Sequence, residues 1–220
     1  MRTVIWGSLL AFLSACAHEQ HSDLIIGPGP YCLTVSGKKA EDLASGTTSV
    51  EKSRLDIHFK GRPSEAARTL RIWQSGVSQR WLVEVNQRPV GELRKFDTPL
   101  IHELTIPPGV LRDGENTLSI IPPKSKDAIT IGEIRLDEHA PGDSRALAYL
   151  EIEVMDPESG KPVPSRITIT ALDGALLPVR PDPDQKLAVR PGVIYTPDGR
   201  AKVGVLPGSC KVYATRGFEY

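Results

Sequence analysis

Two glutamates in the segment YLEIEVMD have the residue type and the spacing needed for acid–base catalysis. Glu151 and Glu153 alternate with the apolar residues Leu150, Ile152 and Val154. On a strand the two carboxylates would lie about 7 Å apart, a separation that suits the hydrolysis of a glycosidic bond by a pair of carboxyl groups. The same alternation is typical of a strand with one solvated and one buried face, and we favour this second interpretation.

Other catalytic motifs are missing from the sequence. The histidines form neither H-x-H nor H-E-x-x-H, the spacings that bring metal ligands together; they are His18, His21, His58, His102 and His139. No G-x-S-x-G marks a nucleophilic serine, and Cys210 has no neighbouring base that would activate its thiol. We therefore expect no catalytic residue, no metal and no other cofactor in these 220 residues.

Cys16 lies three residues after the end of an apolar run that is too short to cross a membrane. The run 4–13 has about ten residues, whereas a membrane-spanning helix needs roughly 20. With Arg2 before it, the run predicts a secretory signal peptide. The residues LSAC, 13–16, resemble the lipobox of bacterial lipoproteins. The resemblance implies that residues 1–15 are removed and that Cys16, as the new N-terminus, carries the lipid.

This resemblance predicts a membrane as one partner of the protein. Several acyl chains, at about 0.8 kcal/mol per buried methylene, anchor a protein stably. Ala17 follows the cysteine, which in a Gram-negative cell resembles a signal for the outer membrane. The predicted location is the cell envelope, at the outer membrane or facing the periplasm. The alternative is an ordinary signal peptide, cleaved after Ala15 or Ala17, in which Cys16 has no role.

Binding is a better expectation than catalysis. Sugar sites often stack a ring on an exposed aromatic side chain, and Trp73 and Trp81 are the candidates here. Core packing is the alternative for both, because their alternation with apolar neighbours does not reveal which face they occupy. The 27 basic and 27 acidic residues balance, so the composition does not favour nucleic acid as a partner. The candidate ligand is a saccharide or another envelope polymer.

The composition predicts an all-β protein. Gly and Pro occur 19 times each, and short alternating segments separated by turns replace helical periodicity. We divide the chain into a signal (1–15), a tether (16–30), a first sandwich (31–138), a linker (139–146) and a second sandwich (147–220). Cys32 and Cys210 fall in apolar strand-like runs of different sandwiches, where a cysteine usually packs as a small hydrophobe; an exported protein could also pair them.

The first sandwich contains three motifs in a particular order: W-L-V-E-V-N-Q-R-P-V-G (81–91), I-P-P-G-V-L-R-D-G-E-N-T-L-S-I (106–120) and I-T-I-G-E-I-R-L (129–136). In this order they resemble a galactose-binding-like jelly roll. Asn86 favours a tight turn into a returning strand, and Gly114 favours a second turn, after which Leu118 and Ile120 return to the core. The resemblance implies a fold that many carbohydrate-binding modules share.

The second sandwich contains three short motifs, at Asp156 to Val163, at Asp198 to Ala201 and at Leu206 to Gly208. They are similar to the pattern D-x-x-x-G-x-P-V, then D-G-x-A, then L-P-P-G-x-Y, of the carboxypeptidase-regulatory, transthyretin-like domain. Cys210 stands where the pattern has tyrosine. Asp198 and Gly199 predict a hairpin turn between strands 194–196 and 201–205.

The segment from Ala188 to Tyr220 resembles the region before the catalytic domain of CehA/McbA-type metallohydrolases of the PHP superfamily. These proteins place a signal and two such sandwiches ahead of a metal-binding barrel. The barrel's H-x-H would follow RGFEY, so the resemblance implies a non-catalytic front part and suits a truncated product. The alternative is a self-contained envelope lipoprotein that binds a glycan or a protein, and a small glycosidase is a more distant one.

Overall fold

The computed structural model describes residues 23–35, 53–140, 142–143 and 147–216, and the backbone alone of residues 2–6 and 10–15. Every regular element in these ranges is a strand, which confirms the predicted all-β class. No helix in the described ranges has the length and apolar character needed to span a membrane.

The chain forms two compact units. The first sandwich is His21–Pro141, and the second consists of Met1–Gln20 together with Gly142–Tyr220. The sequence predicts that residues 1–15 are a signal separate from both sandwiches. In the structure they contribute two strands to the second sandwich, β1 (Arg2–Trp6) and β2 (Leu10–Ala15).

The first sandwich is built from two mainly antiparallel sheets. Its strands are β3 (Leu24–Gly27), β4 (Tyr31–Val35), β5 (Leu55–Gly61), β6 (Arg68–Ser75), β7 (Leu82–Val85), β8 (Arg88–Glu92), β9 (Leu100–Ile106), β10 (Gly114–Ile121) and β11 (Asp127–Asp137). One sheet has the order β5-β10-β7-β8; the other has the order β3-β11-β6-β9, with β4 also paired to β11. A single core cluster takes apolar side chains from both sheets, so alternate residues of each strand face inward.

The predicted tether is partly wrong. Strand β3 lies within the range 16–30 and pairs with β11, where Leu24 lies opposite Leu136. Ile26 is buried in the core, which stabilises the strand, whereas Leu24 and Ile25 are 44% and 48% exposed. The GPGP sequence interrupts the chain between β3 and β4, but both strands still belong to the same sheet.

The hairpin predicted at Asn86 is confirmed. Strands β7 and β8 pair directly, with Val85 opposite Arg88. Asn86 and Gln87 have φ values of 52° and 64°, the left-handed region that two-residue hairpin turns require. The Asn86 side chain also donates to the Asn116 side chain at 2.8 Å, which ties this turn to β10.

The second sandwich also has two sheets. Its further strands are β12 (Ala148–Met155), β13 (Ser165–Thr170), β14 (Val179–Pro181), β15 (Ala188–Arg190), β16 (Val193–Thr196), β17 (Arg200–Val205) and β18 (Gly208–Thr215). The orders are β1-β12-β17-β14 and β15-β16-β13-β18-β2. Strand β1 runs parallel to β12, and β2 runs antiparallel to β18. Both leader strands are therefore edge strands.

The hairpin predicted at Asp198 and Gly199 is wrong. Strand β16 pairs with β13 and β15, whereas β17 pairs with β12 and β14, so the turn carries the chain from one sheet to the other. Gly199 has a φ of +76°, and a Cβ there would lie 2.6 Å from backbone atoms of Val163. This close packing favours a corner between sheets, a choice that turn composition alone does not reveal.

A buried ionic cluster lies on the outer side of β6. Arg71, only 6% exposed, donates to Asp23 at 3.0 Å, to Glu103 at 3.3 Å and to Asp137. Asp137 also accepts from the backbone N–H of His139 at 2.8 Å. Burial opposes ionisation of Asp137, but the bonds from His139 and the charge of Arg71 outweigh it and lower its pKa. The cluster joins both ends of the first sandwich to its central strand.

Replacing Arg71 by methionine should destabilise the first sandwich by about 3–5 kcal/mol, because the buried Asp137 and the partly buried Asp23 and Glu103 would lose their common cation. Urea unfolding followed by tryptophan fluorescence measures this effect. Asp23→Asn is the milder variant, should Arg71→Met fail to fold. Arg54→Met is the control: Arg54 pairs with Asp56 at a site where both side chains are more than 40% exposed, so its loss should cost at most about 1 kcal/mol. Equal losses at both arginines would contradict the assigned role.

Candidate functional site

Trp81, the second aromatic candidate for sugar binding, is a core residue. It is 0% exposed, and its indole N–H donates to Asp127 at 2.8 Å. Asp127 also accepts from the backbone N–H of Ser78 and Gln79 and from the Ser78 hydroxyl. Burial opposes ionisation of Asp127, but these hydrogen bonds together outweigh it and lower the pKa. Trp81 thus offers no surface on which a sugar could stack.

Trp73, the first candidate, lies on the outer side of β6 and is half-buried. It sits beside an irregularity in the pairing of β6 with β11, where a Cβ on Gly132 would lie 2.8 Å from its indole ring. The glycine therefore leaves the space that the ring fills. The buried indole nitrogen has no hydrogen-bond partner among the described residues. Trp73 is the one of the two candidates that keeps some exposed surface.

Glu151 and Glu153 line a shallow cavity of about 210 Å³ on β12 and β17. Glu153 is 9% exposed and accepts a hydrogen bond of 3.0 Å from Arg200 Nε, with Arg200 Nη2 also 3.0 Å from the same oxygen. Lys202, opposite Glu151 in the sheet, is ion-paired with Asp182 at 3.2 Å. The acidic and basic side chains at this cavity are therefore paired with one another. Arg200 binds Glu153, one of the two carboxylates that a glycosidase would need free.

The three described histidines have different hydrogen-bond partners. His58 contacts Thr117, His102 contacts the carbonyl of Glu92, and His139 contacts Asp137. Burial lowers the pKa of His102. In the described ranges no three His, Cys, Asp or Glu side chains are grouped as metal ligands would be. His18 and His21 lie outside the described residues.

The cysteines divide into two kinds. Cys32 and Cys210 are buried and unbridged in separate sandwiches, and burial raises the pKa of the Cys210 thiol. Such a thiol is a poor nucleophile at neutral pH. Cys16, the predicted lipid attachment site, lies outside the described residues.

The sequence reasoning missed the exposed tyrosines of the second sandwich. Tyr195 on β16 and Tyr213 on β18 are 40% and 39% exposed, while their strand neighbours Ile194 and Val212 are buried. The alternation of apolar and polar residues in their strands could have indicated these tyrosines, because each stands at an exposed position between buried neighbours.

A comparison with models of known protein families finds no match for this chain, and a comparison with curated proteins finds none either. The resemblances to the galactose-binding-like, carboxypeptidase-regulatory and PHP families thus stay predictions.

Replacing Asp127 by asparagine should destabilise the first sandwich at pH 7 by roughly 2 kcal/mol, since hydrogen bonds to a charged acceptor are worth about that much. The lowered pKa of Asp127 means that its contribution is full above the unfolded pKa, about 3.9, and is lost as the pH falls through the lower folded value. The gap in stability between the original protein and Asp127→Asn should therefore narrow below about pH 4.

Urea unfolding between pH 7 and pH 3 measures this gap, with Trp81 as the local reporter. Asp97→Asn, at an exposed aspartate, is the matched control and should change neither stability nor its pH dependence. A gap for Asp127→Asn that stays constant with pH would contradict the role of its charge.

Proposed function

We propose that the protein is a lipid-anchored envelope protein whose two sandwiches bind and position a partner without catalysis of their own. The observation that carries the proposal is the short distance in sequence between Cys16 and Asp23. Asp23 is bonded to the buried Arg71, so the first sandwich begins seven residues after the predicted lipid site. An extended chain of that length reaches at most about 25 Å.

Such a short connection would keep the first sandwich close to the membrane surface. The Arg71 cluster supports this role, since it fixes the start of the sandwich to its central strand and leaves no slack beyond Asp23. Buried ion pairs of this kind resist being separated. A lipid attached to Cys16 would therefore restrict how far the first sandwich can move from the membrane surface.

The proposal implies that the edges of the second sandwich change when the signal is removed. Before removal, β1 pairs with β12 and β2 pairs with β18. Removal of residues 1–15 would take both strands away, and β12 and β18 would become the edges of their sheets. Unpaired edges invite pairing with another strand, so processing would change the surface of the second sandwich as well as its anchoring.

The PHP resemblance makes the proposal more specific. In this form the chain serves as the non-catalytic front part of a metallohydrolase and presents a barrel domain to an envelope substrate. The alternative is a self-contained lipoprotein that binds a glycan or a protein. The balanced charges of the Glu151–Glu153 cavity favour both of these over a glycosidase.

Replacing Cys16 by serine should abolish incorporation of radiolabelled palmitate and release the protein from the membrane fraction, because a hydroxyl does not form the thioether. Intact mass of the original protein should show loss of residues 1–15 and the added lipid. Cys32→Ser removes a different thiol and should leave labelling unchanged. A product that begins after Ala15 or Ala17 and carries no lipid would contradict the proposal and favour an ordinary signal peptide.

The genomic DNA beyond the codon for Tyr220 separates the two forms of the proposal. A continuation that encodes H-x-H shortly after RGFEY, in frame or after a frameshift, is expected for the front part of a metallohydrolase. Intergenic sequence at that point would favour the self-contained binding protein.

A further inference from the structure

One outer sheet face of the second sandwich combines exposed aromatic rings with cations. We call it the tyrosine face and define it by Tyr195, Tyr213, Arg166, Arg190 and Lys211. These residues belong to neighbouring strands in the order β15-β16-β13-β18. Each lies at an outward position, between residues whose side chains are more buried.

The sheet register sets the spacing of the two rings. Tyr195 lies opposite Arg166, and Tyr213 lies opposite Thr168, on the two sides of β13. The rings are thus separated by two strand spacings and by a two-residue step, which places their Cα atoms about 12 Å apart. One extended ligand would have to cross β13, and with it Arg166 and Thr168, to reach both rings.

The charge on this face is of one sign. Strands β13, β15, β16 and β18 contain no Asp or Glu, although the whole chain has equal numbers of acidic and basic residues. Arg166 and Arg190 are exposed and have no carboxylate within ion-pair distance among the described residues. Lys211 donates to the carbonyl of Leu172 at 2.7 Å, which holds its ammonium at the same face.

We propose that the tyrosine face binds an anionic polysaccharide, such as a chain of uronic acid or phosphorylated sugars. The inference rests on the proposed binding function and names its ligand class and surface. Tyrosine rings stack on the apolar C–H face of a sugar while leaving its hydroxyl groups in water. Arginine guanidinium groups bind carboxylate or phosphate with paired hydrogen bonds.

The composition of the face favours a glycan over a docked protein. The two rings are separated by the polar side chains of Arg166 and Thr168, whereas the centre of a protein interface is usually a continuous apolar patch from which charges are depleted. A polysaccharide alternates apolar ring faces with polar groups along its length, which matches this order. The opposite sheet differs, since the cations Arg200 and Lys202 are already paired with Glu153 and Asp182.

The test measures binding of the full-length gene product, purified in detergent, to polygalacturonate and to the neutral polysaccharide dextran, by affinity electrophoresis and calorimetry. We expect binding to polygalacturonate alone. Tyr195→Ala, Tyr213→Ala and Arg166→Gln should each weaken it about tenfold. Binding should also weaken as ionic strength rises, because salt screens exposed charges.

Two matched controls remove the same groups elsewhere. Tyr149→Ala takes away a tyrosine that is 45% exposed on the other sheet of the second sandwich, and Arg88→Gln takes away an exposed charge of the first sandwich. Both should bind as the original protein does. All variants sit at exposed positions, so unchanged thermal unfolding is expected and is measured alongside.

Several outcomes would overturn the inference. These are no binding to polygalacturonate, equal binding to dextran, binding that the tyrosine-face variants leave unchanged, and binding only to vesicles of anionic lipid. None of these outcomes depends on palmitate labelling at Cys16. If polysaccharide binding fails while Cys16 is labelled, the proposed ligand is wrong but the proposed lipid anchor is not contradicted.

Discussion

The buried guanidinium of Arg71 is the interaction on which the first sandwich depends. It lies at the centre of β6 and binds one carboxylate before the first strand of the sandwich, one on the neighbouring strand β9 and one at the end of the last strand. A cation removed from water is tolerated only when carboxylates surround it, and each carboxylate is tolerated only while the cation is there. The cluster therefore forms as a unit. It fixes Asp23, at the start of the first sandwich, to β6.

The alternation of inward and outward side chains determines which aromatic residues are exposed to solvent. The inner faces of both sandwiches are filled by apolar side chains, and in the first sandwich this includes Trp81, whose polar atom is satisfied by Asp127. A large aromatic ring is most stable in such a core when its N–H has a buried partner. The outer faces keep the side chains that solvent admits, and there the two sandwiches differ. The first presents half-buried Trp73, and the second presents two exposed tyrosines beside arginines that have no carboxylate partner among the described residues.

The two outer faces of the second sandwich differ in how their charges are paired. On β12 and β17, opposite charges face one another across the strands, as in Glu153 with Arg200, and such cross-strand pairs stabilise a sheet. On the tyrosine face the arginines have no carboxylate to pair with in the described residues. Such cations contribute little to the stability of the fold, so they can form ion pairs with an anionic ligand.

The all-β class, the turn at Asn86 and most of the strands follow from local sequence patterns, namely alternation with a period of two and turn residues that accept a positive φ. The sheet that each strand joins, the corner between sheets at Gly199, the burial of Trp81 and the exposure of Tyr195 and Tyr213 do not follow from these patterns. Alternation defines two faces of a strand without indicating which one is buried. Which face is buried, and which strand lies beside which, is decided by packing between residues far apart in the chain, as in the contact of Arg71 with Asp23 and Asp137.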